Sequence, residues 1–148
     1  MESPSNSSAP NAGVTAATRR PLRILYADDL IELREVARIS FGRDGHGIEC
    51  HADGALALAQ IDSDPAYDLV ITDHHMPNLN ELEFVTKLRE RSFAGKIMVF
   101  SSELSETVAR QYREQNIDRI LYKPIIPSNL RKIISELFPA TAAPAPAV

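Results

Sequence analysis

Six polar residues in this chain are of types that together could bind a cation and hold a phosphoryl group. They are three carboxylates, two hydroxyls and one ammonium group: Asp28, Asp29, Asp73, Ser101, Ser102 and Lys123. Carboxylates crowded together repel one another unless a cation intervenes. Oxygen ligands favour a hard ion, and Mg²⁺ fits because it keeps several waters and takes few protein carboxylates. A carboxylate can also accept a phosphoryl group as an aspartyl phosphate, which a lysine and a hydroxyl would help to hold.

Each of these residues also has an ordinary structural explanation. An adjacent pair of aspartates is usually a helix N-cap or a solvated turn. A Lys-Pro sequence is usually an exposed turn. The chemistry therefore depends on whether the fold brings the six residues together.

The six residues end or follow short apolar runs that are typical of buried strands. The runs are 22–27, 48–52, 68–73, 96–101 and 119–122, and a longer segment with helical spacing follows each one. Five strands alternating with five helices predict an α/β fold, a parallel sheet with right-handed crossovers and helices on both faces. Because ligands bind beyond the carboxyl ends of such strands, we expect the six residues to share one edge of the sheet.

Helical spacing also predicts which side chains point inward from each helix. For the first helix we expect Ile31, Leu33, Val36 and Ile39 to do so. The residues expected to face inward from the other four helices are Leu56, Ala59 and Ile61; Leu82, Phe84, Val85 and Leu88; Leu104, Val108 and Tyr112; and Leu130, Ile133, Ile134 and Leu137.

The charge distribution argues against nucleic-acid binding. The chain has 148 residues and a net charge of −4, with 8 Lys/Arg against 14 Asp/Glu over 21–102 and 6 against 5 over 103–138. A domain that grips phosphates would carry a basic excess. The single cysteine, Cys50, and the lack of an apolar run near the ~20 residues of a membrane span favour a cytoplasmic protein.

Composition separates the two ends of the chain from its middle. We expect a disordered N-terminal arm over 1–20, one domain over 21–138, and an extended Ala/Pro-rich tail over 139–148. Only ten residues follow Phe138, so we expect a stand-alone domain without an output domain of its own.

With these residues in this order, the sequence resembles the receiver domain of two-component response regulators. The matching stretches are ILYADDL (24–30), DLVITDHHMPNLNELEF (68–84), MVFSSE (98–103) and YKPI (122–125). The resemblance covers essentially all of 21–138. It implies a flavodoxin-like (βα)5 fold, a doubly wound parallel sheet with strand order 2-1-3-4-5.

The resemblance also implies a role for each residue. Asp73 matches the phosphoacceptor, and Asp28, Asp29, Asp73 and the backbone carbonyl of His75 match the groups that organise Mg²⁺. Ser101, with Ser102 beside it, matches the phosphate-binding hydroxyl position, and Lys123 matches the lysine that pairs with the phosphate. The phosphodonor would be a sensor histidine kinase or a histidine phosphotransfer protein.

Some positions differ from the family pattern, and two others match positions that affect the lifetime of the aspartyl phosphate. Glu81 stands where glycine is common, which affects the loop before it. Ile120 occupies the position of an aromatic switch residue, and Tyr122 sits next to Lys123 instead, so we hypothesise signalling without the usual rotamer switch. His75 and Glu103 occupy positions that tune how fast water reaches the aspartyl phosphate.

These observations favour a phosphorylation-activated switch of a two-component phosphorelay. It would catalyse only its own phosphorylation and dephosphorylation, and would signal through 103–138 to an output protein or by onward phosphotransfer. The alternative is a constitutive protein-interaction module that keeps the receiver fold but is not switched by phosphate. An independent phosphatase would need a substrate-binding cap, for which we expect no room.

Overall fold

The fold is an alternating α/β structure built on one parallel sheet. The structure is a computed structural model, and it describes residues 20–73, 81–102 and 104–139. The strands are β1 (Arg23–Ala27), β2 (Gly47–His51), β3 (Leu69–Asp73), β4 (Lys96–Ser101) and β5 (Arg119–Tyr122). The helices are α1 (Ile31–Arg43), α2 (Gly54–Ser63), α3 (Glu81–Glu90), α4 (Glu106–Glu114) and α5 (Pro127–Leu137).

The five strands pair in parallel in the order β2-β1-β3-β4-β5. This order and the alternation of strands and helices confirm the predicted flavodoxin-like, doubly wound fold class. All five residues of β3 are buried, as expected for the central strand of a sheet that is covered on both faces.

One face of the sheet carries the main hydrophobic cluster. Leu25, Val70 and Val99 contribute from β1, β3 and β4, and side chains of α2, α3 and α4 cover them. The helix residues in this cluster are Ala57, Leu58, Ile61, Phe84, Val85, Leu88 and Tyr112. Helix α1 contacts β1 and β2, and its buried residues are Ala37 and Phe41.

The predicted inward faces of the first two helices are wrong in part. Ile31, Val36 and Ile39 are 57%, 54% and 56% exposed, although Leu33 is half-buried as expected. In α2, Ala59 and the 53% exposed Leu56 also lie outside, whereas Ile61 is buried. Both helices have two apolar stripes, and spacing alone does not tell which stripe meets the sheet. The inward residues predicted for the other three helices are buried or half-buried.

The chain divides into two compact units. Leu22–Pro127 holds the sheet and α1 to α4, and the second unit combines residues 1–21 with 128–148. The described part of the second unit includes the rest of α5, where Leu130 and Ile134 are buried.

The predicted arm and tail lie outside the described residues except for Arg20 and Pro139, so their disorder stays a prediction. No helix among the described residues is long and apolar enough to cross a membrane.

Candidate functional site

The carboxyl ends of four strands bring the predicted polar residues to one edge of the sheet. Asp28 follows β1, Asp73 ends β3, Ser101 ends β4, and Lys123 follows β5. Because these strands are parallel, their carboxyl ends meet at the same edge. Asp73 lies opposite Phe100, and Ser101 lies opposite Tyr122 in the strand register.

Three aspartates form an acidic cluster at this edge. One carboxylate oxygen from each of Asp28, Asp29 and Asp73 lies within 4.8 Å of the others. Asp28 is 0% and Asp73 3% exposed, whereas Asp29 is exposed. Burial is the main cause that raises the pKa of the Asp28 carboxyl above its usual value, and the nearby charge of Asp73 adds to this shift. The electrostatics of this cluster therefore favour a cation.

Hydrogen bonds hold Asp28 on several sides. Its Oδ1 accepts from the backbone N–H of Leu30 at 3.0 Å, and its Oδ2 accepts from the Tyr26 hydroxyl at 2.7 Å. Its backbone carbonyl accepts from the Arg34 guanidinium at 2.8 Å. The N-cap residue of α1 is Leu30, without a side-chain capping bond. The aspartate pair is therefore not the N-cap of α1, although the bond from the Leu30 N–H to Asp28 is of the kind found in turns.

Lys123 reaches the acidic cluster through Asp73. Its ammonium Nζ donates to Asp73 Oδ1, and the Lys123 side chain is 20% exposed. Its backbone N–H donates to the carbonyl of Ser101 at 2.7 Å, which ties the end of β5 to the end of β4. The following Lys123–Pro124 peptide bond is cis. A fixed positive charge thus contacts the buried carboxylate on one side.

The two serines at the end of β4 differ in exposure. Ser101 is 0% exposed, and Ser102 is exposed. Both stand at the edge of the sheet where the aspartates lie. The neighbouring Thr72 is also buried, and its hydroxyl donates to the carbonyl of Asp73 at 3.2 Å.

The residues predicted to act in switching occupy different environments. Ile120 is half-buried and packs against the main hydrophobic cluster, whereas Tyr122 is 52% exposed. His75 and Glu103 lie outside the described residues, so the metal-binding carbonyl and their proposed effect on the lifetime of the phosphate stay predictions. Glu81 begins α3.

The hydrogen bond from Tyr26 to Asp28 is a contact to this cluster that the sequence analysis does not predict. The run 22–27 reads as a buried strand, so its tyrosine is taken as core. The available signal is spacing: residues two apart in a strand share a face, and Tyr26 stands two positions before Asp28.

The donor atoms of the cluster suit a hard divalent cation. They are carboxylate oxygens from two buried and one exposed aspartate, and Mg²⁺ takes one or two carboxylates and several waters. With Lys123 beside Asp73, a cation in the acidic cluster would add a second positive charge next to the same carboxylate. That arrangement is suited to accepting a phosphoryl group.

Comparison with known proteins gives a family match over most of the chain. Residues 24–135 match the family model described as the response regulator receiver domain. The chain is 30% identical over 152 residues to the sensor histidine kinase AruS of Pseudomonas aeruginosa, and the match covers 100% of this chain but 14% of AruS. It is 28% identical over 130 residues to the two-component response regulator ORR11 of Oryza sativa, a match that covers 86% of this chain and 88% of ORR11.

Solved structures have the same fold. The chemotaxis protein CheY4 of Vibrio cholerae superposes with a TM-score of 0.74 at 26% identity, and the match covers 80% of this chain and 100% of CheY4. A CheY-like receiver domain protein from Methanospirillum hungatei gives a TM-score of 0.75 at 21% identity, covering 79% of this chain and 93% of that protein. The chain spans only a small part of AruS, but nearly the whole of these smaller proteins.

Proposed function

The chain belongs to the response regulator receiver domain family of two-component systems, and we propose that it is a phosphorylation-activated switch with Asp73 as its phosphoacceptor. The observation that carries this proposal is the position of the Asp73 carboxylate. It is buried in the acidic cluster with Asp28 and Asp29, and the Lys123 ammonium contacts it. The absence of any of these groups from the sheet edge would have favoured a constitutive interaction module. Ile120 and Glu81, which depart from the family pattern, are the residues that favour that alternative.

The proposed reaction moves a phosphoryl group from a phosphohistidine to Asp73. A carboxylate oxygen of Asp73 attacks the phosphorus, the O–P bond forms, and the P–N bond breaks as the leaving imidazole takes up a proton. The product is an aspartyl phosphate. Lys123 neutralises charge on the phosphoryl oxygens, and the Ser101 hydroxyl donates a hydrogen bond to one of them, with Ser102 at the rim.

Asp28 and Asp29, with Asp73 and the carbonyl of His75, would hold Mg²⁺. When bound, this ion offsets the negative charge of the carboxylate and the phosphoryl group as they approach each other. In this proposal the chain catalyses only its own phosphorylation and dephosphorylation.

We propose a histidine kinase or a histidine phosphotransfer protein as the donor. AruS, the relative named above, is a sensor histidine kinase, of which this chain spans a small part. Such donors act in the cytoplasm, and we place this chain there. Leu30 and three residues of α1, Ile31, Val36 and Ile39, are between 49% and 57% exposed. Exposed apolar side chains grouped on one segment mark binding surfaces, so we propose that the donor docks on this part of α1.

For output we propose the segment 103–138, or onward transfer of the phosphoryl group. The described part of this segment includes the exposed Arg110 and Arg113 of α4 and the exposed Arg131 and Lys132 of α5. The added charge of the phosphoryl group would draw Lys123 and Ser101 toward it and so bias the segments attached to them.

Intact mass spectrometry tests the proposed acceptor. The full chain is incubated with acetyl phosphate and Mg²⁺, and wild type is compared with Asp73→Asn. The control is Asp62→Asn, which changes an exposed aspartate that is paired with Arg91 at 2.6 Å. We expect one added phosphoryl group in the wild type and in the control, and none in Asp73→Asn. Equal uptake by Asp73→Asn would refute the proposal.

A further inference from the structure

The phenol of Tyr26 is a polar group that the proposed reaction does not use. Tyr26 is 2% exposed, and its hydroxyl donates to Asp28 Oδ2 at 2.7 Å. A hydrogen bond from a hydroxyl to a carboxylate is among the stronger kinds in proteins because the acceptor is charged. The phenol therefore acts directly on the orientation of an acid in the cluster.

The ring that carries this hydroxyl is fixed in place. Its centroid lies 6.0 Å from that of Phe100, with the ring planes at 62°, an edge-to-face contact. Tyr26 lies opposite Ile71 of β3, two residues before Asp73, and Phe100 lies opposite Asp73. The two rings thus lie beneath the acidic cluster on its side of the sheet, and the hydroxyl is held toward Asp28.

The rest of Asp28 is held by the backbone and by one arginine. The Leu30 N–H binds Oδ1, the Arg34 guanidinium binds the carbonyl, and the Asp28 N–H donates to the His51 carbonyl at 3.0 Å. With Tyr26 on Oδ2, both carboxylate oxygens are oriented before any ion binds. Each oxygen retains a lone pair, because a carboxylate has about four acceptor positions.

We propose that Tyr26 is a positioning residue for the divalent cation, since it holds the Asp28 carboxylate in the orientation in which it shares an ion with Asp29 and Asp73. This inference rests on the metal site of the proposed function. Hydrogen-bond partners behind a metal ligand fix its orientation, and their loss typically costs about 10–100-fold in metal affinity. An aliphatic residue at position 26 would fill the same buried space but would not donate a hydrogen bond to the Asp28 carboxylate.

The test compares Mn²⁺ binding by wild type and Tyr26→Phe, with the full chain and electron paramagnetic resonance as the readout. Phenylalanine keeps the ring and its contact with Phe100, and removes only the hydroxyl. The control is Tyr67→Phe. Tyr67 is 5% exposed, and its hydroxyl bonds Glu49 and Gln60, each at 3.2 Å, at the opposite end of the sheet. We expect the Mn²⁺ dissociation constant of Tyr26→Phe to rise about tenfold or more, and that of Tyr67→Phe to stay within twofold of wild type.

A second measurement uses the wild type alone, so it does not depend on whether a variant folds. With ¹³C-labelled tyrosine, we expect the Tyr26 Cζ resonance to shift as Mg²⁺ is added, with the same dissociation constant as metal binding. The Tyr67 resonance should not move.

An unchanged Mn²⁺ affinity in Tyr26→Phe, or a Tyr26 Cζ resonance that does not shift when Mg²⁺ is added, would overturn the inference. Neither result would argue against the metal site itself. Failure of the wild type to bind Mn²⁺ would instead refute the metal site of the proposed function, and the inference with it.

Discussion

At the scale of single residues, Asp28 combines full burial with a position within 4.8 Å of two other carboxylates. Burial is the largest cause that raises its pKa, and the hydrogen bonds from Leu30 and Tyr26 oppose this shift. A carboxyl with a raised pKa in the folded state destabilises that state when it is ionised. The penalty is full at a pH above the folded pKa and disappears as pH falls toward the ordinary value of 3.8.

This balance predicts that Asp28→Asn is more stable than wild type when no divalent cation is present. At pH 7 with a chelator we expect its melting temperature to be higher by a few degrees, because asparagine carries no charge to bury or repel. About 1 kcal/mol corresponds to roughly 2–8 °C in domains of this size range. The difference should shrink as pH falls from 7 toward 4, and circular dichroism melts measure it.

The control for that experiment is Glu114→Gln, which removes an exposed carboxylate at the end of α4. Its melting temperature should follow that of the wild type at every pH. A wild type more stable than Asp28→Asn at pH 7, without added metal, would contradict the electrostatic account of the cluster.

The sequence predicts the residues of the acidic edge better than it predicts their contacts. Asp28, Asp73 and Lys123 are predictable because each ends or follows an apolar run, and the carboxyl ends of parallel strands meet at one edge. The bond from Tyr26 to Asp28 is not, since a tyrosine in a buried strand has an ordinary core role. Whether its hydroxyl meets a partner depends on side-chain geometry that spacing does not specify.

At the scale of secondary-structure elements, α1 presents apolar side chains on its outer face. Ile31 and Ile39 are 57% and 56% exposed, and they lie eight positions apart, roughly 80° from each other around the helix axis. Their periodicity predicts an inward face, yet Ala37 and Phe41 occupy it. In the proposed function, the inner apolar residues of this helix pack on the sheet, and the exposed apolar residues bind the donor.

This interpretation predicts that the double variant Ile31→Ser/Ile39→Ser loses phosphotransfer from a phosphorylated donor protein. We expect a decrease of at least about tenfold in transfer rate, equivalent to 1.4 kcal/mol. Stability should change little because both side chains are exposed. The measurement is radiolabel transfer from a phosphorylated histidine phosphotransfer domain.

Phosphorylation of the same variant by acetyl phosphate provides the control, since a small donor needs no docking surface. It should proceed at the wild-type rate. If both donors slow equally, the substitutions have damaged the site itself, and if neither slows, the donor does not dock on this face of α1.

Ile120 in β5 occupies the position of the aromatic switch residue, so a substitution there tests whether signalling needs a switch side chain. Ile120 packs against the main hydrophobic cluster, and Tyr122 is already exposed. We expect Ile120→Ala to cost on the order of 2 kcal/mol in unfolding free energy, since Ile120 is only half-buried. We also expect it to retain the change in hydrogen exchange over 104–126 that phosphorylation produces in the wild type. Loss of that change in a folded Ile120→Ala would contradict the hypothesis.

At the scale of the whole molecule, the unit Leu22–Pro127 holds every described residue of the candidate site. The strand order was predictable because right-handed crossovers and a family resemblance restrict it. The unequal charge of 21–102 and 103–138 is predictable from composition, and the acidic excess falls in the part of the chain that carries Asp28, Asp29 and Asp73. The remaining predicted contributors, His75 and Glu103, lie outside the described residues, so their roles stay predictions.

The most direct measurement for the whole account locates the phosphoryl group on the chain. The protein is phosphorylated with acetyl phosphate and then reduced with borohydride, which converts an aspartyl phosphate to homoserine, and the peptides are sequenced by mass spectrometry. We predict homoserine at position 73 when Mg²⁺ is present and none when a chelator removes it. Homoserine at another aspartate, or at position 73 regardless of the metal, would contradict the account.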